Sequence, residues 1–193
     1  MKNFTTTLVL VFFVSAGVFA QGVSGGVKAG LNLANQTFSG NGYTTSPSFL
    51  PGLHAGVYLT AMFSDHFGLQ PELLYSGQGA KSGSEKLKMT YITVPILLRY
   101  NVNSIVSFHA GPQVGILASA KDKVGSNSTD IKDQFKSSDI SVAAGVGIDL
   151  PVKLNFNFRF IKGLSDINNV DNSSIKMKNY TLQLSVGYKL FGK

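Results

Sequence analysis

Few residues in this 193-residue chain could do covalent chemistry. Its only histidines are His54, His66 and His109, and cysteine is absent. No Asp or Glu stands near a histidine at metal-ligand spacing, and no serine sits in a nucleophile motif. Catalysis requires a positioned nucleophile and base, so no catalytic, cofactor or metal residues are expected, and His54 and His109 are assigned lumen hydrogen bonding. The "GVGID" stretch at 145–149 alternates like a strand with no helix behind it, which excludes a phosphate loop. What remains is charge. Arg99 and Asp149 each lie two residues before a short turn, and Glu72 and Arg159 each lie about six residues beyond one. These four are expected to form two ion-paired tiers plugging a narrow interior, with Lys28 and Lys189 adding positive charge. Buried charges require partners because an unpaired one costs several kcal/mol.

The elements that carry these residues are strands. Period-two alternation marks a strand with two unlike faces. It recurs over 23–33, 53–63, 67–78, 106–119, 140–150, 154–161 and 180–190. The run 91–100 is apolar on both faces, and Arg99 assigns its odd positions to the polar face. Eight strands result. They are joined alternately by tight turns (64–66, 101–104, 151–153) and by longer polar connections expected at roughly 35–52, 79–90, 120–138 and 165–178. Up-and-down outer-membrane barrels have this asymmetry, with short periplasmic turns and longer outside loops.

Composition decides which face looks inward. Only 14% of residues are charged, against about 25% in an ordinary soluble domain. The polar parity is Gly, Ser, Asn, Gln and Thr, which suits the filled interior of an eight-stranded barrel. The other parity is Leu, Val, Ile, Phe and Ala on every strand, more bulk than such an interior holds. The fold expected is therefore all-β: an eight-stranded antiparallel transmembrane barrel with lipid against its apolar face and no open edge in the hydrocarbon. Aromatics fall near strand ends, with Phe63, Phe67, Tyr100, Tyr188 and Phe191 on the turn side and Tyr75 and Tyr180 on the loop side. Residues 1–20 have the makings of a cleaved secretory leader: Lys2, the apolar "LVLVFFV" at 8–14, and Val18-Phe19-Ala20 before Gln21. The barrel domain is then 21–193.

The stretches "GVKAGLNLAN", "LQPELLYSGQGAK", "YITVPILLRY", "HAGPQVGILASAK", "GVGIDL" and "LQLSVGYKL" resemble the PorT-type outer-membrane β-barrel proteins of Bacteroidetes. The likeness covers nearly all of 26–190. It implies an outer-membrane barrel inserted by the barrel-assembly machinery, which reads an aromatic final strand; here Gly192 and Lys193 follow Phe191. It also implies a link to protein secretion for the founding member, and no defined activity for most relatives.

Two further features complete the reading. Pro71, Pro95 and Pro112 lie on three successive strands, where proline cannot donate to a ladder; bulges or weak pairing are expected there, and a weakened seam for a lateral partner is the sharper alternative. Lys81, Lys86, Lys88, Lys121, Lys123, Lys132 and Lys136 fall in or beside two outer connections. The first five are candidates for lipopolysaccharide phosphates, though interspersed acids also fit an ordinary solvated loop. Outer-membrane lipid is the expected surrounding partner, an envelope protein a possible one, and nucleic acid is disfavoured for an exported chain. The leading function is a structural, surface-interaction role through the outer loops. The alternative is an accessory part of a secretion or transport machine, and an envelope lipid-modifying enzyme or protease comes third.

Overall fold

The computed structural model describes residues 22–40, 43–125, 127–170 and 175–192. The expected leader at 1–20 lies outside them. Among the described residues ten strands run in chain order: β1 (Gly22–Gly40), β2 (Tyr43–Thr45), β3 (Ser48–Met62), β4 (Phe67–Ser82), β5 (Glu85–Asn101), β6 (Val106–Val124), β7 (Asn127–Asp130), β8 (Ser138–Asp149), β9 (Leu154–Gly163) and β10 (Lys176–Phe191). All pairings are antiparallel, and the eight long strands are neighbours in the order β10, β9, β8, β6, β5, β4, β3, β1. β10 then pairs with β1 from Gly25↔Phe191 to Ser39↔Lys176, which closes the ring. The two short strands are outer appendages, β2 on β1 and β7 on β6.

The faces are inverted relative to a water-soluble protein. On β10, Leu184 is 54% exposed while its neighbour Gln183 is 1% exposed; on β9, Phe158 is 49% exposed and Arg159 1%. Asn, Gln, Ser, Thr and His fill the interior, and Val, Leu, Ile and Phe form a continuous outer band. Monomeric soluble proteins rarely present so large an apolar surface to water, whereas hydrocarbon is its natural solvent. Aromatic pairs sit at both rims: Phe67 and Tyr100 at the turn end, with centroids 5.0 Å apart, and Phe49 edge-on to Tyr180 at the loop end, 5.6 Å apart.

The turn end is tied locally. Phe63 N–H donates to Phe67 O (3.0 Å), and Asn103 Oδ1 accepts from the N–H groups of Ile105 and Val106 at 2.8 Å each. Lys153, with φ 67°, takes the left-handed position of the β8–β9 turn.

At the other end the strands are longer than the sequence suggests. The expected loop at 35–52 contains the end of β1, all of β2 and the start of β3. The expected loop at 79–90 shrinks to Gly83-Ser84, with Gly83 at φ 58°. Lys81, Lys86, Lys88, Lys121 and Lys123 therefore lie on strands. Between β7 and β8 a short 3-10 turn (Lys132–Gln134) leads Phe135 inward, and Ile167 meets it from the β9–β10 connection. Backbone bonds Lys136 N–H to Ile167 O (2.9 Å) and Asn169 N–H to Gln134 O (3.0 Å) knit these two connections together.

Of the two outcomes expected at Pro71, Pro95 and Pro112, bulges or weak pairing, the structure shows weak pairing. Register shifts occur at Gly25/Gly26, between Phe49 and His54 (the interval that holds Pro51), and at Thr90/Tyr91, none of them at Pro71, Pro95 or Pro112. Beside the prolines the register is kept but pairing lapses. The gaps run from Tyr58↔Glu72 to Ala61↔Leu69, from Pro71↔Ile96 to Leu74↔Thr93, and from Pro95↔Gln113 to Leu98↔Ala110. A missing N–H removes a rung without adding a residue, so weak pairing results and a bulge does not. On its β8 side the pairing runs through Pro112 unbroken.

The inverted faces are tested by Leu184→Arg. Leu184 lies midway between Tyr180 and Tyr188, so arginine there should cost about 2–4 kcal/mol in lipid, read from urea unfolding in vesicles. The wild-type barrel should also change gel mobility on boiling. An unaffected stability would return the apolar face to the inside.

Candidate functional site

The interior is built around one carboxylate. Glu72, on β4, accepts from Lys28 Nζ of β1 (2.8 Å), from both terminal nitrogens of Arg159 on β9 (2.7 and 2.8 Å), and from Gln70 Nε2 (2.6 Å). All are buried. The fork of Arg159 matches the two carboxylate oxygens, the geometry in which such a pair is strongest. Lys28 also lies over the Tyr58 ring, 5.4 Å from its centroid. Tyr58 Oη accepts from Asn155, whose Oδ1 accepts from Asn157.

Nearer the turn end, Arg99 pairs with Asp149 and donates to Asn101 Oδ1 (2.8 Å) and Gln70 Oε1 (3.2 Å). The structure thus brings Glu72, Arg159 and Lys28 into one cluster and Arg99 and Asp149 into another. Gln70 joins the two: its amide nitrogen serves Glu72 and its carbonyl serves Arg99. Sequence reasoning missed that role, though its parity and its place two residues before Glu72 were the signal. Lys189, with Ser24, Tyr58, Arg99 and Asp149, lines a 240 Å³ cavity open at the turn end.

Toward the loop end the polar packing continues. Asn32 Nδ2 donates to Ser76 Oγ (3.0 Å) and Gly77 O (2.8 Å), and Gln183 donates to Asn32. Gln36 donates to Asn179, which donates to Asp139 (3.0 Å). Asp139 was not anticipated from sequence; Ser165 on the β9–β10 connection also donates to it, at 2.8 Å. Above this layer Met89, Tyr91, Leu117, Ala120, Phe135 and Ile167 pack into an apolar cap. Asp166, at the cap's edge, accepts from the N–H groups of Met177 (2.8 Å) and Asn168 (3.1 Å); desolvation raises its pKa but these bonds outweigh it and hold the carboxyl below its ordinary value.

His54 and His109 each meet a serine, Ser185 at 2.8 Å and Ser107 at 3.1 Å. Neither forms a hydrolytic set. In both rings Nδ1 has no hydrogen-bond partner, whereas an acting base is oriented there by a carboxylate. Both histidines are also buried under the sealed interior. His66 lies in a turn, bonded to Asn101 O. Among the described residues no group of three or more His, Cys, Asp or Glu is placed to hold a metal.

The five lysines singled out for lipid contact are brought together by register. Lys81 stands opposite Lys86, Lys86 opposite Lys123, and Lys88 opposite Lys121. Lys132 and Lys136 lie apart, around the 3-10 turn.

A closed antiparallel ring with lipid-facing apolar residues and a polar, packed interior defines a small outer-membrane β-barrel. The chain belongs to the outer membrane protein beta-barrel domain family, whose model matches residues 19–169. Its place is accordingly the bacterial outer membrane. Among solved structures it is similar to Ail, the attachment invasion locus protein of Yersinia pestis, with TM-score 0.53 and 17% identity over 86% of this chain and 98% of that one. It is also similar to Neisserial surface protein A, with TM-score 0.54 and 12% identity over 85% and 97%. At these identities the likeness is one of fold. A comparison with curated proteins found no match.

Glu72→Gln leaves Lys28 and Arg159 facing each other without their counter-charge. It should destabilise the barrel by about 3–5 kcal/mol, measured by denaturant unfolding in detergent. Adding Lys28→Met should recover part of that loss. Arg99→Gln should cost less, because its pair with Asp149 is partly open to solvent.

Proposed function

We propose that this is a sealed barrel that acts at the cell surface, through its outer loops and the strand ends that carry them. The observation that carries this reading is the filled interior. The Glu72 cluster blocks the middle, and the cap of Met89, Phe135 and Ile167 covers the loop end. A conduction path would have to break both, so the outer surface is the part left free to meet a partner. Loops on a rigid scaffold are where binding residues concentrate. On this reading the chain is a PorT-type member of the family, is exported by a leader at 1–20 that is cleaved, and is inserted by the barrel-assembly machinery. No catalytic role is assigned to it.

One observation favours the second reading, an accessory component of a secretion or transport machine. The pairing lapses at Pro71, Pro95 and Pro112 form a row across β4, β5 and β6. An apolar groove walled by Leu98, Tyr100, Phe108 and Phe160 opens beside that row on the lipid face. A membrane-embedded partner would find both backbone groups and a greasy slot there.

In planar bilayers the purified barrel should give no stepwise conductance. An epitope inserted between Gly83 and Ser84 should be detected on intact cells, and one inserted in the 151–153 turn only after the outer membrane is permeabilised. Steady ion steps, or the reverse accessibility, would overturn the surface-acting reading. Recovery of a stoichiometric membrane partner that is lost on Pro112→Val would favour the second.

A further inference from the structure

The outward face of β4, β5 and β6 continues beyond the apolar band, and its residues change abruptly. On β5 the outward positions from Tyr100 to Thr90 are Leu98, Ile96, Val94 and Ile92. The ten residue steps from Tyr100 to Thr90, at ~3.3 Å per step and a tilt of ~40°, span about 25 Å, the height of an outer-membrane apolar band. The next outward residue is Lys88, and the next after that Lys86. Across the ladder, Lys121 faces Lys88 and Lys123 faces Lys86, with Lys81 of β4 on the far side of Lys86. Residues directly opposite share a face, as do residues two apart on one strand. All five ammonium groups therefore rise from one surface at headgroup level.

The acids of the same segments do not neutralise it. Glu85 lies opposite Ser82 and Val124, and Asp122 opposite Leu87 and Thr129, which places both on the other face. Only Asp130, opposite Lys121 on β7, shares the lysine face. Like charges directly opposite destabilise a ladder, and here three such pairs are stacked in two rows. The chain keeps an arrangement that is unfavourable in isolation and favourable against a fixed anion. Lys86, Lys88, Lys121 and Lys123 mark a rectangle about 5 Å across the strands and about 7 Å along them, a spacing at which several ammonium groups reach one phosphate. Lys162 on β9 and Lys176 and Lys178 on β10 share the outward parity and extend the cationic rim.

We infer that this lysine face binds the phosphates of the phosphorylated glycolipid of the outer leaflet, anchoring lipopolysaccharide to one side of the barrel. The inference rests on the surface-acting reading, which puts the Gly83-Ser84 hairpin outside the cell. The phosphates are lipid-borne because the site begins where the apolar band ends, so one ligand can place its acyl chains on Ile92 and Ile116 and its headgroup on the lysines.

The test uses the full barrel in zwitterionic detergent and native mass spectrometry with bisphosphorylated lipid A. The variants are Lys→Gln at 86, 88, 121 and 123 together, Lys→Arg at the same four, and Lys153→Gln in the opposite turn. Wild type, the Arg variant and Lys153→Gln should retain the lipid, and the fourfold Gln variant should bind it roughly a hundredfold more weakly. Without lipid that Gln variant should unfold at or above the wild-type temperature, because repulsion has been removed. Should the fourfold change fail to fold, Lys88→Gln with Lys121→Gln gives the same comparison at smaller amplitude. Equal retention by the Gln variant overturns the inference, as does displacement of lipid A by an equal concentration of inorganic pyrophosphate. In intact cells, an impermeant amine reagent should label these lysines more strongly after chelation strips the glycolipid. Equal labelling before and after sinks the lipid inference alone, whereas no labelling in either state sinks the outward placement beneath it.

Discussion

One carboxylate sets the terms for the rest of the molecule. A narrow barrel with lipid outside must turn its polar residues inward, and two of those residues, Lys28 and Arg159, are cations on strands that approach from different sides. Neither reaches water. Glu72 compensates both, so β1, β4 and β9 must arrive at one height with one register. That requirement is as strict as closure itself, because a one-residue slip would carry a charge to the lipid face. Gln70 extends the constraint to Arg99 on β5 and Asp149 on β8. Five of the eight spanning strands are thereby registered through a single connected set of side chains. A connected buried network of this kind specifies one arrangement more sharply than an apolar filling would.

Closure and filling also divide the molecule along its length. The turn end is short, locally hydrogen-bonded and lined by a small charged cavity. The loop end is long and is closed by apolar residues instead of ions. Phe135 and Ile167 come from two different connections, and backbone bonds between those connections bring both into the cap. The seal at that end is a second, small hydrophobic core built above the membrane, separate in kind from the polar interior beneath it.

The sequence disclosed the parts that depend on a strict period. Alternation placed every spanning strand and named the inward parity, including the ambiguous 91–100, where Arg99 decided correctly. The two heights of Glu72 with Arg159 and of Arg99 with Asp149 followed from counting residues from the turns. Three things were hidden, each for a physical reason. Strand extensions beyond the membrane carry Lys, Ser and Thr on a face that water already satisfies, so β4 and β5 looked like loop where they are ladder. Partnership inside the lumen depends on register across the ring, which fixed Lys28 on Glu72 and made Gln70 a bridge. Pro71, Pro95 and Pro112 announced missing donors, but sequence cannot distinguish a lost rung from an inserted residue, and the register shifts fell elsewhere, at Gly25, between Phe49 and His54, and at Thr90.

The extensions that sequence concealed are also where the chain departs from what a minimal barrel requires. A band of about 25 Å is satisfied by about ten residues per strand, yet β5 has 17 and β6 has 19. The excess is ordered, paired across three strands, and sorted so that lysines face out and acids face the opposite way. Stability does not explain that sorting, since placing Glu85 or Asp122 beside a lysine would favour the ladder. Spanning the membrane does not explain it either, since the extra residues lie above the hydrocarbon. Segregated charge on a rigid extension makes sense only against something outside the chain that bears the opposite sign. In an outer membrane the nearest dense, fixed negative charge is the phosphate layer of the leaflet the strands have just crossed.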